Sequence, residues 1–183
     1  VITGFFILVE DSIAVGDVVR VGGMSGVVED LSIRSIRLRD VAGTVHTIPF
    51  SSVGTVSNMT RGFSYFVADI AVGYGEDVDR VAEVCSAIVE EMRADDRFRY
   101  DILEPLEVLG LDRFADSAMI LKARIKTRPI KQWGVGREFN RRMKKRFDEL
   151  GIEIPFPQRT VRLAGTRPAR RPTEAEALAA LGA

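Results

Sequence analysis

At Arg61-Gly62 the hydrophobic rhythm of this chain changes, and no other feature constrains its fold as strongly. Before that point, short runs rich in valine and isoleucine are punctuated by glycine. They predict strands over 18–21, 27–33, 35–39, 44–48 and 53–59. Ile36 and Leu38 alternate with Arg37 and Arg39, which gives that strand one buried and one wet face. Gly16 and Gly26 read as turn or positive-φ positions, where glycine alone adopts the backbone without strain. A unit of this size buries little core by itself, so contact with neighbours or identical copies is expected.

After Arg61-Gly62 the strands become longer and two helical periods appear. A strand over 65–72 leads through Gly73-Tyr74-Gly75 to an acidic helix start at Glu76-Asp77. Val78, Val81, Cys85, Ile88 and Met92 recur at steps of three and four, which predicts a helix over 77–94 with one buried stripe. Strands follow over 106–111 and 117–127; in the second, Met119, Leu121, Ala123 and Ile125 alternate with Lys122, Arg124 and Lys126. A second helix over 131–150 places Val135, Phe139, Met143, Phe147 and Leu150 on one stripe and stops at Gly151. Residues 152–154 and 160–163 read as final strand material. The order strand, helix, strand, strand, helix, strand is that of a ferredoxin-like unit, a fold that hosts many functions. From Ala164 onward, proline and arginine read as a linker, and 173–181 as a marginal alanine-rich helix with Thr173 as N-cap.

Composition excludes more than it assigns. Among 183 residues, 46% apolar and 28% charged, 26 basic side chains balance 26 acidic ones, so no global field points to nucleic acid. The single cysteine, Cys85, cannot form an internal disulfide, and with one histidine, His46, it is too little for a structural zinc site. Cys85 lies on an apolar stripe and His46 has no acidic or thiol neighbour at motif spacing, so both read as structural. No phosphate loop, carboxylate dyad or ligand cluster appears, and the expectation is a protein that is not an enzyme and holds no metal or cofactor. The apolar start, residues 1–9, is far shorter than the roughly 20 residues of a membrane-spanning helix. Without an initial methionine or a basic n-region, it reads as the cut end of a longer helix rather than a signal peptide.

Several stretches resemble one family. Gly4-Phe5-Phe6-Ile7-Leu8-Val9-Glu10, followed by Val15-Gly16-Asp17-Val18-Val19, resembles the junction where the pore-lining helix of mechanosensitive channels of small conductance (MscS) meets the cytoplasmic β domain. Gly26-Val27-Val28-Glu29, the run from Ile33 to Arg39, Val45-His46-Thr47-Ile48-Pro49 and Val56-Ser57-Asn58 continue the resemblance in family order, and Phe147 to Gln158 is similar to the family's helix-to-strand ending. The chain departs from the pattern at Ser12-Ile13-Ala14, where Pro-Phe is frequent, and at Phe50, where Asn is frequent. The proline-broken, alanine-rich end also does not match the barrel-forming strand of some relatives.

The resemblance implies an α+β architecture: a small five-stranded Sm-like β domain followed by a ferredoxin-like α/β sandwich domain. Residues 1–10 are then the end of the pore-lining helix, with Gly4, Phe5, Phe6 and Leu8 at its lower end. Residues 11–61 are the β domain, built around Gly16, Asp17, Gly26, Pro49 and Asn58; 62–163 are the ferredoxin-like domain and 164–183 a C-terminal tail. It further implies a homoheptamer forming a vestibule with side portals, on the cytoplasmic side of the bacterial inner (plasma) membrane, joined to that membrane through N-terminal helices. The permeants are ions and small osmolytes released on hypo-osmotic shock. Asn58 and Arg61, between the domains, and Arg141 and Lys145, on the basic second helix, are the portal and vestibule candidates.

The competing reading is a soluble RNA-binding module, because Arg61-Gly62-Phe63-Ser64-Tyr65-Phe66-Val67 partly mimics an RNA-recognition signature. That signature places stacking aromatics on an internal strand with an aromatic partner motif, whereas this stretch opens the first strand of its unit. The expectation is therefore no nucleic-acid partner.

Overall fold

The computed structural model describes residues 12–157. Gly4, Phe5, Phe6, Leu8, the 160–163 strand and the 173–181 helix lie outside the described residues.

The first unit is an antiparallel sheet of five strands in the order β4-β3-β2-β1-β5. They are β1 (Val18–Val21), β2 (Met24–Leu31), β3 (Ser35–Arg39), β4 (Val45–Pro49) and β5 (Val56–Asn58). Gly22 and Gly23, with φ of 56° and 85°, form the two-residue turn that pairs Val21 with Met24. Two positive φ values are what a right-twisting hairpin of this length requires. The alternation in β3 holds, with Ile36 and Leu38 fully buried and Arg37 and Arg39 exposed. Residues 53–55, expected in the last strand, instead follow a single 3-10 turn at Phe50–Ser52, and the strand is confined to β5. Ile13 and Phe50, which mark two departures from the family pattern, are both buried in this core, 4% and 5% exposed.

The second unit contains β6 (Ser64–Val72), α1 (Val78–Ala94), β7 (Glu107–Phe114), β8 (Met119–Thr127) and α2 (Gln132–Leu150). Its sheet order, β6-β8-β7, inserts β8 antiparallel between the strands flanking α1, which is the split βαβ core of a ferredoxin-like fold. Asp77 caps α1 by accepting hydrogen bonds from the Asp79 and Arg80 amides. Gly151, at φ 69°, ends α2, and the Ile152 amide bonds back to the Phe147 carbonyl. Both helices contribute to one core: Val81, Cys85, Ile88 and Met92 from α1, and Val135, Phe139 and Phe147 from α2, meet Ile70, Leu121, Ala123 and Ile125 from the sheet.

Two details differ from the sequence pattern. Leu150 is 40% exposed, because the stripe of α2 turns away from the sheet at the helix end. Residues 152–157 are not in a strand; one backbone bond, from the Gly73 amide to the Glu153 carbonyl at 3.1 Å, ties them to the end of β6. Among the described residues no helix is long and apolar enough to cross a membrane.

Candidate functional site

Two clusters collect the residues that the sequence singles out. The first lies where the chain passes from one unit to the other. Gly16, at φ 97°, turns the chain so that its amide donates to the Val28 carbonyl at 2.8 Å, and the Val28 amide returns a bond to the Asp17 carbonyl at 2.8 Å. Asp17 Oδ2 then accepts from the Ala14 amide at 3.0 Å and from Asn58 Nδ2 at 2.7 Å, while Asn58 Nδ2 also reaches the Ser12 carbonyl at 3.2 Å. Asn58 Oδ1 accepts from the Thr60 amide at 3.0 Å, and the buried Thr60 hydroxyl accepts from the Val18 amide at 3.0 Å. The buried Ser64 hydroxyl donates to the Met59 carbonyl at 2.9 Å, so the strap from β5 into β6 is held on both sides.

Gly26 belongs to the same unit for a reason other than positive φ. A Cβ there would sit 2.6 Å from the Arg39 carbonyl oxygen, so β2 and β3 approach too closely for a side chain. Pro49 closes β4 opposite Ser35. Thr60 was not legible as a member of this cluster. Its role depends on the Val18 amide, 42 residues away in the chain.

The second cluster is the basic face of α2. Arg141 donates through Nε and Nη2 to Glu138 at 2.8 and 2.7 Å, and Arg142 Nε shares Oε1 of the same carboxylate at 2.8 Å. The Arg142 fork continues to Asp95 at the end of α1, and Arg97 Nη2 reaches Asp95 from the following turn at 2.8 Å. Arg146 Nη2 bonds Glu91 at 2.8 Å, and Lys145 stands 3.7 Å from Glu149. Hydrogen bonds from Arg141, then Arg142, hold the Glu138 carboxyl down at about 2. Arg97, and then Arg142, hold Asp95 well below the usual carboxylate range. Arg137, Arg141, Arg142, Lys144, Lys145 and Arg146 make this helix basic in sequence; the structure sets Glu91 and Asp95 of the preceding segment among them, so part of that charge is compensated. Arg141 and Lys145 remain 63% and 75% exposed.

His46 gains a partner that motif spacing concealed: its Nε2 lies 3.0 Å from Asp40 Oδ2, across the β3–β4 hairpin. Cys85 is fully buried, and burial pushes its thiol up to about 12. The RNA-like stretch is placed unfavourably for base stacking. Tyr65 is the second residue of β6, an edge strand among the described residues, with the Arg124 guanidinium 4.3 Å from its ring centroid, and the Lys126 ammonium lies 4.7 Å from that of Phe63.

Comparison with known proteins matches residues 1–61 to the family described as "Mechanosensitive ion channel, beta-domain" and residues 66–154 to "Mechanosensitive ion channel MscS, C-terminal". The chain is 37% identical over 163 residues to a small-conductance mechanosensitive channel of Caldanaerobacter subterraneus subsp. tengcongensis, covering 89% of this chain and 57% of that protein. It is 34% identical over 155 residues to the moderate conductance mechanosensitive channel YbiO of Escherichia coli, covering 85% of this chain and 21% of that protein. The crystal structure of Helicobacter pylori MscS in its closed state superimposes with a TM-score of 0.72 at 22% identity, over 90% of this chain and 64% of that one. This chain therefore spans little more than half of the first relative and about a fifth of the second.

Proposed function

Because the chain belongs to the MscS family of mechanosensitive ion channels, we propose that it assembles with copies of itself into the cytoplasmic vestibule of a tension-gated channel. In this reading the assembly is a homoheptamer at the bacterial inner membrane, and it passes ions and small osmolytes on hypo-osmotic shock. Residues 1–10 are the end of the pore-lining helix, 11–61 the β domain, 62–163 the ferredoxin-like domain and 164–183 the tail.

One observation supports this reading above the others: both cytoplasmic units of the family occur in one chain, in family order, at residues 1–61 and 66–154. The bonded strap from Asp17 through Asn58 to Thr60 gives a physical means of passing displacement of the β domain to the unit below. A pore responds to tension because its open state occupies more membrane area, so the lipid-exposed part senses and this part assembles and filters. Asn58, with its side-chain donors and acceptor all engaged in the strap, is assigned to holding it. Arg61, Arg141 and Lys145 are assigned to the vestibule surface.

The test grafts this chain onto the membrane segments of the Caldanaerobacter relative and records tension-activated current in excised patches. Current is expected, with its anion-to-cation ratio lowered by Arg141→Glu plus Lys145→Glu. A graft that inserts and assembles but never conducts overturns the vestibule reading; an unchanged ratio removes only the two filter residues.

A further inference from the structure

Between the five-stranded unit and the start of α2 lies an open cleft of about 570 Å³. That size is within the roughly 300–1,000 Å³ of small-molecule sites. It is lined by Val18, Arg20, Val27, Met59 and the β3–β4 hairpin from the five-stranded unit and by Ile130, Trp133 and Arg137 from the segment that enters α2. Apolar side chains of this cleft are partly in water: Val27 is 42% exposed, Trp133 41% and Ile130 49%. Ile130 is also the described chain's non-glycine residue at positive φ, 71°. A left-handed backbone is strained for a branched residue, and such strain concentrates at ligand clamps.

The charges around the cleft are unequal in their commitments. Arg39 is tied to Glu29 and to the Gly43 carbonyl. Asp40, the lining carboxylate, spends Oδ1 on the Ala42 and Thr44 amides and Oδ2 on His46. Arg137 has no ion-pair or hydrogen-bond partner among the described residues, and Arg20 has only the Ser25 hydroxyl at 3.1 Å. The bonds to Asp40 keep it ionised and Glu29 balances Arg39, so Arg20 and Arg137 together leave the lining net positive, with free donors beside apolar side chains. A guanidinium fork matches a carboxylate with two parallel bonds, and the apolar side chains match a hydrocarbon body.

We propose that this cleft binds a small amphiphilic anion from solution, an alkyl or aryl monocarboxylate, with its carboxylate on Arg137 and Arg20 and its apolar body against Trp133, Ile130 and Val27. The site does not depend on the channel reading, since every group in it belongs to one copy of the chain. A ligand there bridges the two units and adds contacts that the Asp17–Asn58–Thr60 strap does not supply.

Trp133 is the sole tryptophan of the chain, so its emission reports the cleft directly. Decanoate is titrated into the 183-residue protein, with decanol and decylammonium as uncharged and cationic controls. The expected result is a saturable shift of Trp133 emission to shorter wavelength with decanoate. Both controls, and the Arg137→Glu and Arg20→Glu variants, bind at least about tenfold more weakly, as expected from the loss of one charge-assisted contact. Both arginines are exposed, and an unchanged far-ultraviolet spectrum verifies that the variants are folded. The proposal is overturned by the absence of a saturable shift, by equal affinity for decanol or decylammonium, or by full retention of binding in Arg137→Glu. It is equally overturned if the emission shift follows protein concentration rather than decanoate, which makes a second copy the occupant.

Discussion

At the residue scale, the two glycines of α2 separate space from propensity. A Cβ on Gly136 would lie 2.4 Å from ring carbons of Phe66, and that ring is itself packed edge-on against Phe139, centroids 6.2 Å apart. Gly134, two residues earlier, has nothing within 4 Å of such a Cβ. Alanine is the better helix former by about 1 kcal/mol at either position. Gly134→Ala is therefore expected to stabilise by up to about 1 kcal/mol, and Gly136→Ala to destabilise by about 1–3 kcal/mol as the helix is pushed off the sheet. Urea denaturation of the two variants checks this; equal effects would mean that Phe66 swings aside freely. Nothing in the sequence distinguishes these glycines, because the ring that decides between them lies on a strand far away in the chain.

At the element scale, α1 and α2 share a hydrophobic core and a rim of charge in which Glu138 and Asp95 hold Arg142 between them. Both carboxyls are depressed in the folded protein, Glu138 to about 2 from an ordinary 4.5. Between those values the unfolded chain binds more protons than the folded one. The contribution is thus complete above the ordinary value and is lost as pH falls through the depressed one. Urea midpoints measured from about pH 6 to about pH 3 are expected to fall, and Glu138→Gln to flatten that slope. A slope unchanged in the variant would assign the acid sensitivity to other groups. Helix positions and the buried stripes were legible from steps of three and four. The pairing of Arg142 and Arg146 with Asp95 and Glu91 was not, because those carboxylates come from α1 and its end, 47 and 55 residues away in the chain.

At the scale of the whole molecule, the five-stranded sheet ends in β4 and β5, neither paired on its outer edge among the described residues. Open edges on a unit with so small a core are a liability unless something covers them. The self-assembly proposed above would supply that cover. Light scattering on the purified chain at high salt is expected to return about seven times the monomer mass, on the homoheptamer reading. A monomer at every concentration would count against assembly encoded in these two units alone.

The sequence by itself determined the order of the main elements, most of their faces and the ends of both helices. Alternation placed Ile36 and Leu38 inside, period-3.6 stripes placed Cys85 and Phe139 inside, and Asp77 and Gly151 marked helix ends through chemistry confined to one turn. Tertiary structure alone decided which polar groups meet. Asn58 finds Asp17 across 41 residues and Arg142 finds Asp95 across 47. It also decided the cleft that Arg137 and Arg20 line together with Val27, Ile130 and Trp133. The physical reason is range: periodicity and capping act over a few residues, whereas a hydrogen bond needs two atoms within about 3 Å, a condition set by strand register and by how helices seat on the sheet.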